Sequence, residues 1–339
     1  MTWLLDAEHA AVAEAVAQHA TDVEEAGPNH WGFRLDASEA GRGAIRVEED
    51  WLSVRLPVGR IEPERLAGLL RINGGLAGGV KFGLAPEPPF LTLSAQWPLE
   101  ADDLLRSGPG RVGPEPGRPA PARTIERIFA GLRQGLEHIE SCGRSPDRAT
   151  TRDRRSPEAV GDLRSNESAG SGDPRRTESL KSLLTETGWS FTERSSGRLA
   201  VELDVPAGFY QAMLTPTGEM ATEQELRIDV ELSAGEEPSP LVRRAAGVLL
   251  LTGCHAVRMA RASLCTEPGR VAADPGRHDP ALSEVYRWEV AFPETPAAAA
   301  FDRALGALSV ACRLSAGEMA CLRDESVAGA YLALRGWSP

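Results

Sequence analysis

The amino-acid sequence predicts an α+β protein made of two tandem domains, each an antiparallel sheet with helices packed on it. Its 339 residues exceed the usual size of a single domain, so two cores are expected. Two short stretches, Ala67-Gly68-Leu69-Leu70 and Ala246-Gly247-Val248-Leu249, follow one pattern, the first in one half of the chain and the second in the other. Each comes after an alternating, strand-like segment and before a further apolar strand. The chain is therefore interpreted as one unit present twice.

Composition divides the chain into a first domain at residues 1–141, a linker at 142–176 and a second domain at 177–339. The linker has no aromatic residue and only two larger aliphatic ones, Val160 and Leu163. Such a segment cannot bury enough apolar surface to offset its conformational entropy, so we expect it to be disordered. A flexible tether holds the two halves at high effective concentration, which favours an intramolecular pseudo-dimer.

In the first half, apolar periodicity predicts a helix at residues 5–25 and a closing helix at Ile125–Ile139. A third helix, Glu62–Ile72, has a proline in its first turn and glycines after its end. Five segments are predicted to be strands, and Trp51–Val58 alternates strictly enough between apolar and polar residues to be half-buried in an antiparallel sheet. These strands are Gly32–Asp36, Ala44–Glu48, Trp51–Val58, Val80–Leu84 and Phe90–Ser94.

The second half repeats this order. Leu226–Leu232 alternates in the same way as Leu52–Val58, and Pro240 opens a helix that reaches Leu251. A late helix begins after Pro296, and a further helix at Ala316–Leu334 has no counterpart in the first half. The other predicted elements are a helix at Glu178–Thr187 and strands at Leu199–Val205, Phe209–Leu214, Val257–Leu264 and Tyr286–Val290. Each unit is thus predicted to be α-β-β-β-α-β-β-α.

The cysteines and the apolar runs predict a soluble protein of the cytoplasm. Five cysteines occur without a C-x-x-C pair, which is typical of small core residues in a reduced compartment. The N-terminus lacks the basic region of a secretory signal. The longest strongly apolar run, Ala245–Cys254, is far shorter than the roughly 20 residues of a membrane span. We therefore expect no membrane partner.

The net charge of −12 bears on the kind of partner. Both halves are acidic, and the segment between them is slightly basic. Acidic modules repel the phosphate backbone, which argues against nucleic acid as a partner. An acidic surface instead favours a basic or amphipathic polypeptide, although a solvated acidic face without any partner is the more common case.

The sequence lacks the residue patterns of catalytic, metal and cofactor sites. None of the six histidines forms an H-x-x-x-H or H-E-x-x-H pair. The glycines at Gly74–Gly79 follow a helix-like segment and precede a strand, which is the reverse of a phosphate-binding loop. No set of Ser, His and Asp, and no pair of carboxylates, can be nominated by spacing. We therefore expect neither an enzyme nor a cofactor.

Tryptophans are the candidate partner-binding residues. Aromatic side chains on a sheet supply either core packing or an exposed docking platform. Core packing is the more common role, whereas exposed positions would let an extended segment lie across the sheet or add to its edge. The candidates lie at strand starts or within strands: Trp31, Trp51, Trp97 and Trp288.

The element order, the acidic modules and the closing amphipathic helix resemble the type III secretion chaperone-like fold, including the YbjN-like proteins. The resemblance covers both halves and rests on apolar spacing in Leu52–Val58, Ala67–Leu70, Val80–Leu84, Phe90–Ser94 and Ile125–Ile139, with their second-half counterparts. Secretion chaperones are acidic cytoplasmic homodimers that bind an extended segment of a secreted protein on apolar patches. The resemblance therefore implies two such subunits fused into one chain. The divergence of the halves and the extra helix at Ala316–Leu334 depart from that pattern.

Three functions remain open on the sequence. The first is a noncatalytic module that holds a partner polypeptide on apolar surface patches. The second is an enzyme or small-ligand sensor whose pocket lies between the halves, lined by convergent polar groups from distant positions. The third is a structural subunit of a larger assembly.

Overall fold

The computed structural model is a mixed α+β protein with two antiparallel sheets of six strands each, and this confirms the predicted class. It describes residues 12–35, 41–48, 51–85, 90–98, 120–143, 174–194, 198–216, 226–235, 238–268, 282–292 and 296–337. Most of the predicted linker, residues 144–173, lies outside this described part.

The described residues of the first half form three α-helices and the first sheet. Helix α1 occupies residues 12–19, and helices α2 (Leu66–Asn73) and α3 (Ala120–Gly143) follow β4 and β6. The strands are β1 (Thr21–Gly27), β2 (His30–Arg34), β3 (Gly43–Glu48), β4 (Trp51–Gly59), β5 (Lys81–Ala85) and β6 (Phe90–Pro98).

In the part of the second half that the structure describes, there are four α-helices and the second sheet. The helices are α4 (Pro174–Thr187), α5 (Pro240–Ala256), α6 (Ala298–Cys321) and α7 (Glu325–Leu334). The strands are β7 (Phe191–Glu193), β8 (Leu199–Val205), β9 (Gly208–Pro216), β10 (Leu226–Leu232), β11 (Arg261–Pro268) and β12 (Leu282–Phe292).

The two sheets have the same strand order. The first runs β1-β2-β3-β4-β6-β5, and the second, read in the same direction, runs β7-β8-β9-β10-β12-β11. In each half the middle helix (α2 or α5) therefore joins the fourth strand (β4 or β10) to an edge strand (β5 or β11). A hairpin then connects that edge strand to the strand between it and the fourth (β6 or β12). Element order and strand connectivity agree between the halves.

Each half has four strands before its middle helix, whereas the sequence predicted three. Strand β1 occupies the end of the predicted helix 5–25, because that helix stops at residue 19. Gly27, at φ 156°, and Asn29, at φ 59°, then turn the chain into β2. The second additional strand, β7, is only three residues long.

The C-terminal helix also differs from the prediction. Helix α6 continues to Cys321, and a separate helix α7 starts at Glu325. The side chain of Asp324 accepts hydrogen bonds from the backbone N–H groups of Ser326 and Val327, which is the geometry of an N-cap. The cap restarts the helix, so the predicted single helix at 316–334 is divided between α6 and α7.

One face of each sheet is apolar and packs on a helix of its own half. In the first sheet the alternate residues Leu52, Val54 and Leu56 are fully buried, as are Ile128 and Phe129 of α3. In the second sheet Ile228, Val230 and Trp288 are buried, and α6 packs on this sheet through Phe301, Leu305 and Leu308. Burial of each such side chain stabilises the fold by about 1.5–3 kcal/mol. The buried apolar residues of both halves form one continuous cluster.

The four sheet edges are each unsuited to pairing with another chain. Strands β5 and β11 are covered by the opposite half, as described below. The outer edge β1 is interrupted by two register shifts and carries the exposed acids Asp22, Glu24 and Glu25. The other outer edge, β7, is short. Bulges, charges and short strands are common devices against edge-to-edge association.

Candidate functional site: the junction between the halves

At the junction between the halves, the middle helix of each half packs on an edge strand of the other half. Helix α2 of the first half packs on β11 of the second, and α5 of the second half packs on β5 of the first. The two helices also contact each other. Reciprocal contacts of this kind, in which one surface meets its own counterpart, are the mark of a two-fold interface.

Lys81 and Arg261 are the first residues of β5 and β11, and each crosses to the other half. Lys81 Nζ donates to the carbonyl oxygens of Val257 and of Ala260, the latter at 2.8 Å. Arg261 donates from Nη2 to Gly74 O at 2.8 Å and from Nη1 to Leu76 O at 2.6 Å. Both side chains are almost completely buried, at 0% and 2% exposure.

These two cations stabilise helix ends. Val257 is the C-cap of α5, and Gly74 is the C-cap of α2. The last carbonyls of a helix lack partners within it and carry the negative end of its dipole, so they offer acceptors and an attractive potential to a cation. Each half thus supplies the cation that binds carbonyl groups at the C-terminal end of the other half's middle helix.

Asn73 and Cys254 play matching parts beside the edge strands. Asn73 Oδ1 accepts from Phe82 N at 2.6 Å, and Cys254 Sγ accepts from Ala262 N at 3.0 Å. Phe82 and Ala262 are the second residues of β5 and β11. Asn73 Nδ2 also donates across the junction to Ala262 O at 3.0 Å and lies 3.9 Å from Cys254 Sγ. The side chains thus satisfy backbone groups on the two inner edges.

Sheet pairing identifies equivalent positions in the two halves. Ser94 of β6 pairs with Lys81, and Glu289 of β12 pairs with Arg261, so Ser94 corresponds to Glu289. Three residues further along each strand stand Trp97 and Phe292. Their rings meet edge to face with centroids 5.8 Å apart. Two equivalent residues in direct contact place the approximate two-fold axis between them.

The junction is closely packed. A Cβ atom placed on Gly83 would lie 3.0 Å from His255 N, and one on Gly74 would lie 3.4 Å from Ser263 Cβ. A Cβ on Gly247 would lie 3.0 Å from Leu66 Cβ. Gly83 and Gly247 therefore let the two halves approach more closely than a side chain would allow, whereas a Cβ atom on Gly74 would make an ordinary contact.

Burial shifts the pKa values of the junction's ionisable groups. It lowers the pKa of Lys81 to about 8 and raises the pKa of the Cys254 thiol to about 11. It also lowers the pKa of His255, with the charges of Arg55 and Lys81 acting in the same direction. Desolvation disfavours the charged form in all three cases.

Arg261 and Glu289 form a buried ion pair with Nε and Oε1 2.9 Å apart, and each side chain is 2% exposed. Asp229, opposite Glu289 on β10, lies 3.2 Å from Arg227 Nε and 3.7 Å from Arg287 Nε. Burial raises the pKa of Asp229, although both arginines oppose that shift. These ion pairs link β12 to its two neighbouring strands, β10 and β11.

Glu284 of β12 links the two middle helices. Its carboxylate lies 2.5 Å from Arg71 of α2 and 3.1 Å from Arg243 of α5. Since the arginines come from different halves, this bridge adds to the contacts across the junction.

The four tryptophans nominated from the sequence lie in different environments in the structure. Trp31 and Trp288 are buried, and Trp288 Nε1 donates to Ser315 Oγ at 2.8 Å. Trp97 is half-buried at the two-fold axis. Trp51 is also half-buried, and Arg258 and Arg303 of the second half lie over its ring, 4.9 and 5.6 Å from its centroid. Partner binding by these residues stays a prediction.

Exposed apolar side chains occur elsewhere in the second half. Phe209 on β9 is 79% exposed, and Val310 and Leu314, four residues apart on α6, are each 47% exposed. Val310 lies seven residues, or two helical turns, after Arg303, so it continues the face of α6 that adjoins Trp51. In the described part of the chain, every large hydrophobic side chain with high exposure belongs to this half: Phe209, Val310, Leu314, Val327 and Leu334.

Lys81, Arg261 and Asn73 are not among the residues nominated from the sequence. One signal pointed to Lys81, because the chain has only two lysines and Lys81 stands within the apolar run Val80–Leu84. The partners of these three residues across the junction are 176 to 189 residues away along the chain, beyond the reach of local pattern.

Within the described ranges, no group of three or more His, Cys, Asp and Glu side chains is arranged to hold a metal ion. No helix of the described part has the length and apolar character of a membrane span. Comparison with protein-family models, with curated proteins and with solved structures finds no match.

Proposed function

We propose that the chain is a noncatalytic protein-binding module, a fused dimer of chaperone-like subunits that holds a partner polypeptide on apolar patches of its second half. The proposal places it in the cytoplasm without a cofactor. The observation that carries it is the one-sided distribution of exposed apolar side chains, above all Val310 and Leu314, which we call the α6 stripe.

The use of polar groups at the junction supports binding over catalysis. Lys81, Arg261 and Asn73 are buried, and their donors are directed at backbone carbonyls of the other half. A pocket between the halves would need convergent polar groups that face a ligand. At this place the side chains of Lys81, Arg261 and Asn73 are engaged in joining the halves.

The α6 stripe has the spacing of an anchor for a polypeptide. Two apolar side chains at positions i and i+4 form a continuous strip on one helix face. Arg303, two helical turns before Val310 on the same face, lies over the ring of Trp51 of the first half. A chain with a net charge of −12 favours a partner with basic residues flanking its apolar ones.

Selection from a displayed random peptide library tests the proposal with the full chain. We expect amphipathic, basic peptides that bind with dissociation constants below about 100 µM, since one short apolar strip gives modest affinity. The double variant Val310→Ser with Leu314→Ser should weaken binding at least about tenfold. Arg313→Ser, on the same helix, is the matched control.

Two outcomes of this experiment would contradict the proposal. If no selected peptide binds more tightly than its scrambled version, the proposal is wrong. If selected peptides bind the double variant as tightly as the native chain, the α6 stripe is not the binding surface.

A further inference from the structure

We propose that the two halves form a heterospecific pair, in which the contacts on the two-fold axis fit one half of each kind and oppose the pairing of two like halves. The partner of the α2 and β5 surface is then the α5 and β11 surface, and never a second copy of itself. This goes beyond the proposed function and does not depend on it.

Three pairs of equivalent residues meet on or near the axis. Trp97 contacts Phe292, as shown above, and Asn73 lies 3.9 Å from Cys254. Asn73 and Cys254 are equivalent because each accepts from the second residue of its own edge strand.

The third pair is Leu66 and Gly247. Leu66 precedes Asn73 by seven residues, and Gly247 precedes Cys254 by seven, so they hold the same position on their helices. None of these three pairs consists of identical residues, although a symmetric ancestor would have the same residue on both sides.

The sizes of Leu66 and Gly247 are complementary. A Cβ atom on Gly247 would already lie 3.0 Å from Leu66 Cβ. Two first halves would bring leucine against leucine at this spacing, which overpacks the contact. Two second halves would bring glycine against glycine and leave a void where Leu66 now packs.

The polar groups are complementary as well. Asn73 Nδ2 supplies the donor for Ala262 O across the junction, and the cysteine at the equivalent position offers only a weak S–H donor to a like half. Two first halves would also bury two lysines beside serines at the position of Ser94. The native pair instead has Glu289 next to Arg261. A pairing surface that penalises its own copy is a common basis of specificity.

A chain that can be cut between its halves tests the pairing directly. A protease site is inserted between residues 143 and 174, and two preparations carry different tags on their first halves. After cleavage, mixing, exposure to moderate urea and return to buffer, we expect the pieces to elute together at the size of the intact chain. Capture of one first-half tag should retain second halves from both preparations and less than about one-twentieth as much of the other first half. Comparable capture of the two first halves would overturn the proposal, and so would elution of the pieces apart.

Acylation of lysine provides a second test in the uncut chain. Lys81 is fully buried against the second half, whereas the Lys181 side chain is 26% exposed and serves as an internal standard. We expect Lys81 to react at least roughly 100-fold more slowly than Lys181. Gly247→Leu should accelerate the reaction of Lys81 at least about tenfold, and adding Leu66→Ala should restore most of the protection.

Gly68→Leu is the matched control, since a Cβ atom placed on Gly68 meets nothing within 4 Å. It should leave the reactivity of Lys81 unchanged. If Gly68→Leu accelerates acylation as much as Gly247→Leu, or if Leu66→Ala restores nothing, the size complementarity on the axis does not govern pairing.

Discussion

Lys81 and Arg261 occupy the same position in the two sheets, but Glu289 lies beside Arg261 whereas Ser94 stands beside Lys81. Both cations complete the middle helix of the opposite half, so the geometry is symmetric while the charge balance is not. Arg261 is neutralised within the protein. Lys81 holds its charge against desolvation, which lowers its pKa to about 8.

This asymmetry predicts a pH dependence of stability that belongs to Lys81. Its pKa falls from 10.5 in the unfolded chain to about 8 in the folded one, so between these values the unfolded state binds more protons. The contribution of Lys81 to the free energy of unfolding should therefore rise with pH from about 8 to 10, by at most about 1.4 kcal/mol per pH unit. It opposes the loss expected above pH 9 from the buried thiols of Cys254, Cys265 and Cys312, whose pKa values burial raises. Below pH 8 the contribution of Lys81 is flat. Urea unfolding at a series of pH values measures it.

Lys81→Met should remove this slope, and Lys181→Met should keep it. The pKa of Lys181 is raised by its hydrogen bonds to Glu178 and Glu193, so its own effect falls above the tested range. Equal slopes for the native chain and Lys81→Met would contradict the assignment.

The buried ion pair predicts a strong effect of removing one partner. Arg261→Met leaves the Glu289 carboxylate buried without its cation and frees the carbonyls of Gly74 and Leu76. We expect a loss of about 3–5 kcal/mol in the free energy of unfolding. Adding Glu289→Met should recover part of it, because two apolar groups replace an unpaired charge. A double variant less stable than Arg261→Met would show that this carboxylate is not what destabilises the single variant.

Trp288 predicts a smaller effect on the second core. Its indole N–H donates to Ser315 Oγ, whose own hydroxyl donates to Ala311 O at 2.7 Å. Ser315→Ala leaves a buried donor without an acceptor and should cost about 1–3 kcal/mol. Ser309→Ala on the same helix is the control and should change stability by less than about 0.5 kcal/mol. Equal losses in the two variants would contradict this account.

Glycine replacements should separate close packing from open space. Gly83→Ala places a methyl group 3.0 Å from the backbone nitrogen of His255 and should destabilise the chain by about 1–3 kcal/mol. Gly68→Ala meets nothing within 4 Å in helix α2 and should stabilise it by about 0.5–1 kcal/mol. Thermal unfolding compares the two, and a gain in stability for Gly83→Ala would show that the junction is looser than described.

Much of the strand pattern was predictable from sequence, because alternation reports burial directly. Leu52–Val58 and Leu226–Leu232 were set side by side for their alternation, and the sheet pairing puts Leu52 and Leu226 at equivalent positions, opposite Trp97 and Phe292. The glycine motifs were less informative. The reciprocal contacts match Gly247 with Leu66, two residues from the Gly68 that the sequence pattern suggests.

The additional strands and the junction lay outside the reach of such patterns. Strand β1 has mostly exposed residues and β7 has three residues, so neither carries the apolar alternation of a core strand. The buried cations of the junction bind backbone carbonyl groups. Every residue has a carbonyl group, so no side-chain pattern in the sequence indicates where these bonds form. Trp51 was nominated for its ring, but the two arginines over it come from residues more than 200 positions away.

The crossing of the middle helices has a consequence for synthesis on the ribosome. The first half is complete at Gly143, but Arg261, which caps its middle helix, follows about 120 residues later. At a synthesis rate of about 5–20 residues per second, edge strand β5 and Lys81 of the nascent first half stay uncovered for roughly 6–25 s. Amine labelling of stalled nascent chains would show whether Lys81 loses its reactivity only after β11 has emerged. During that interval, the nascent first half is the form of this protein that most needs a chaperone.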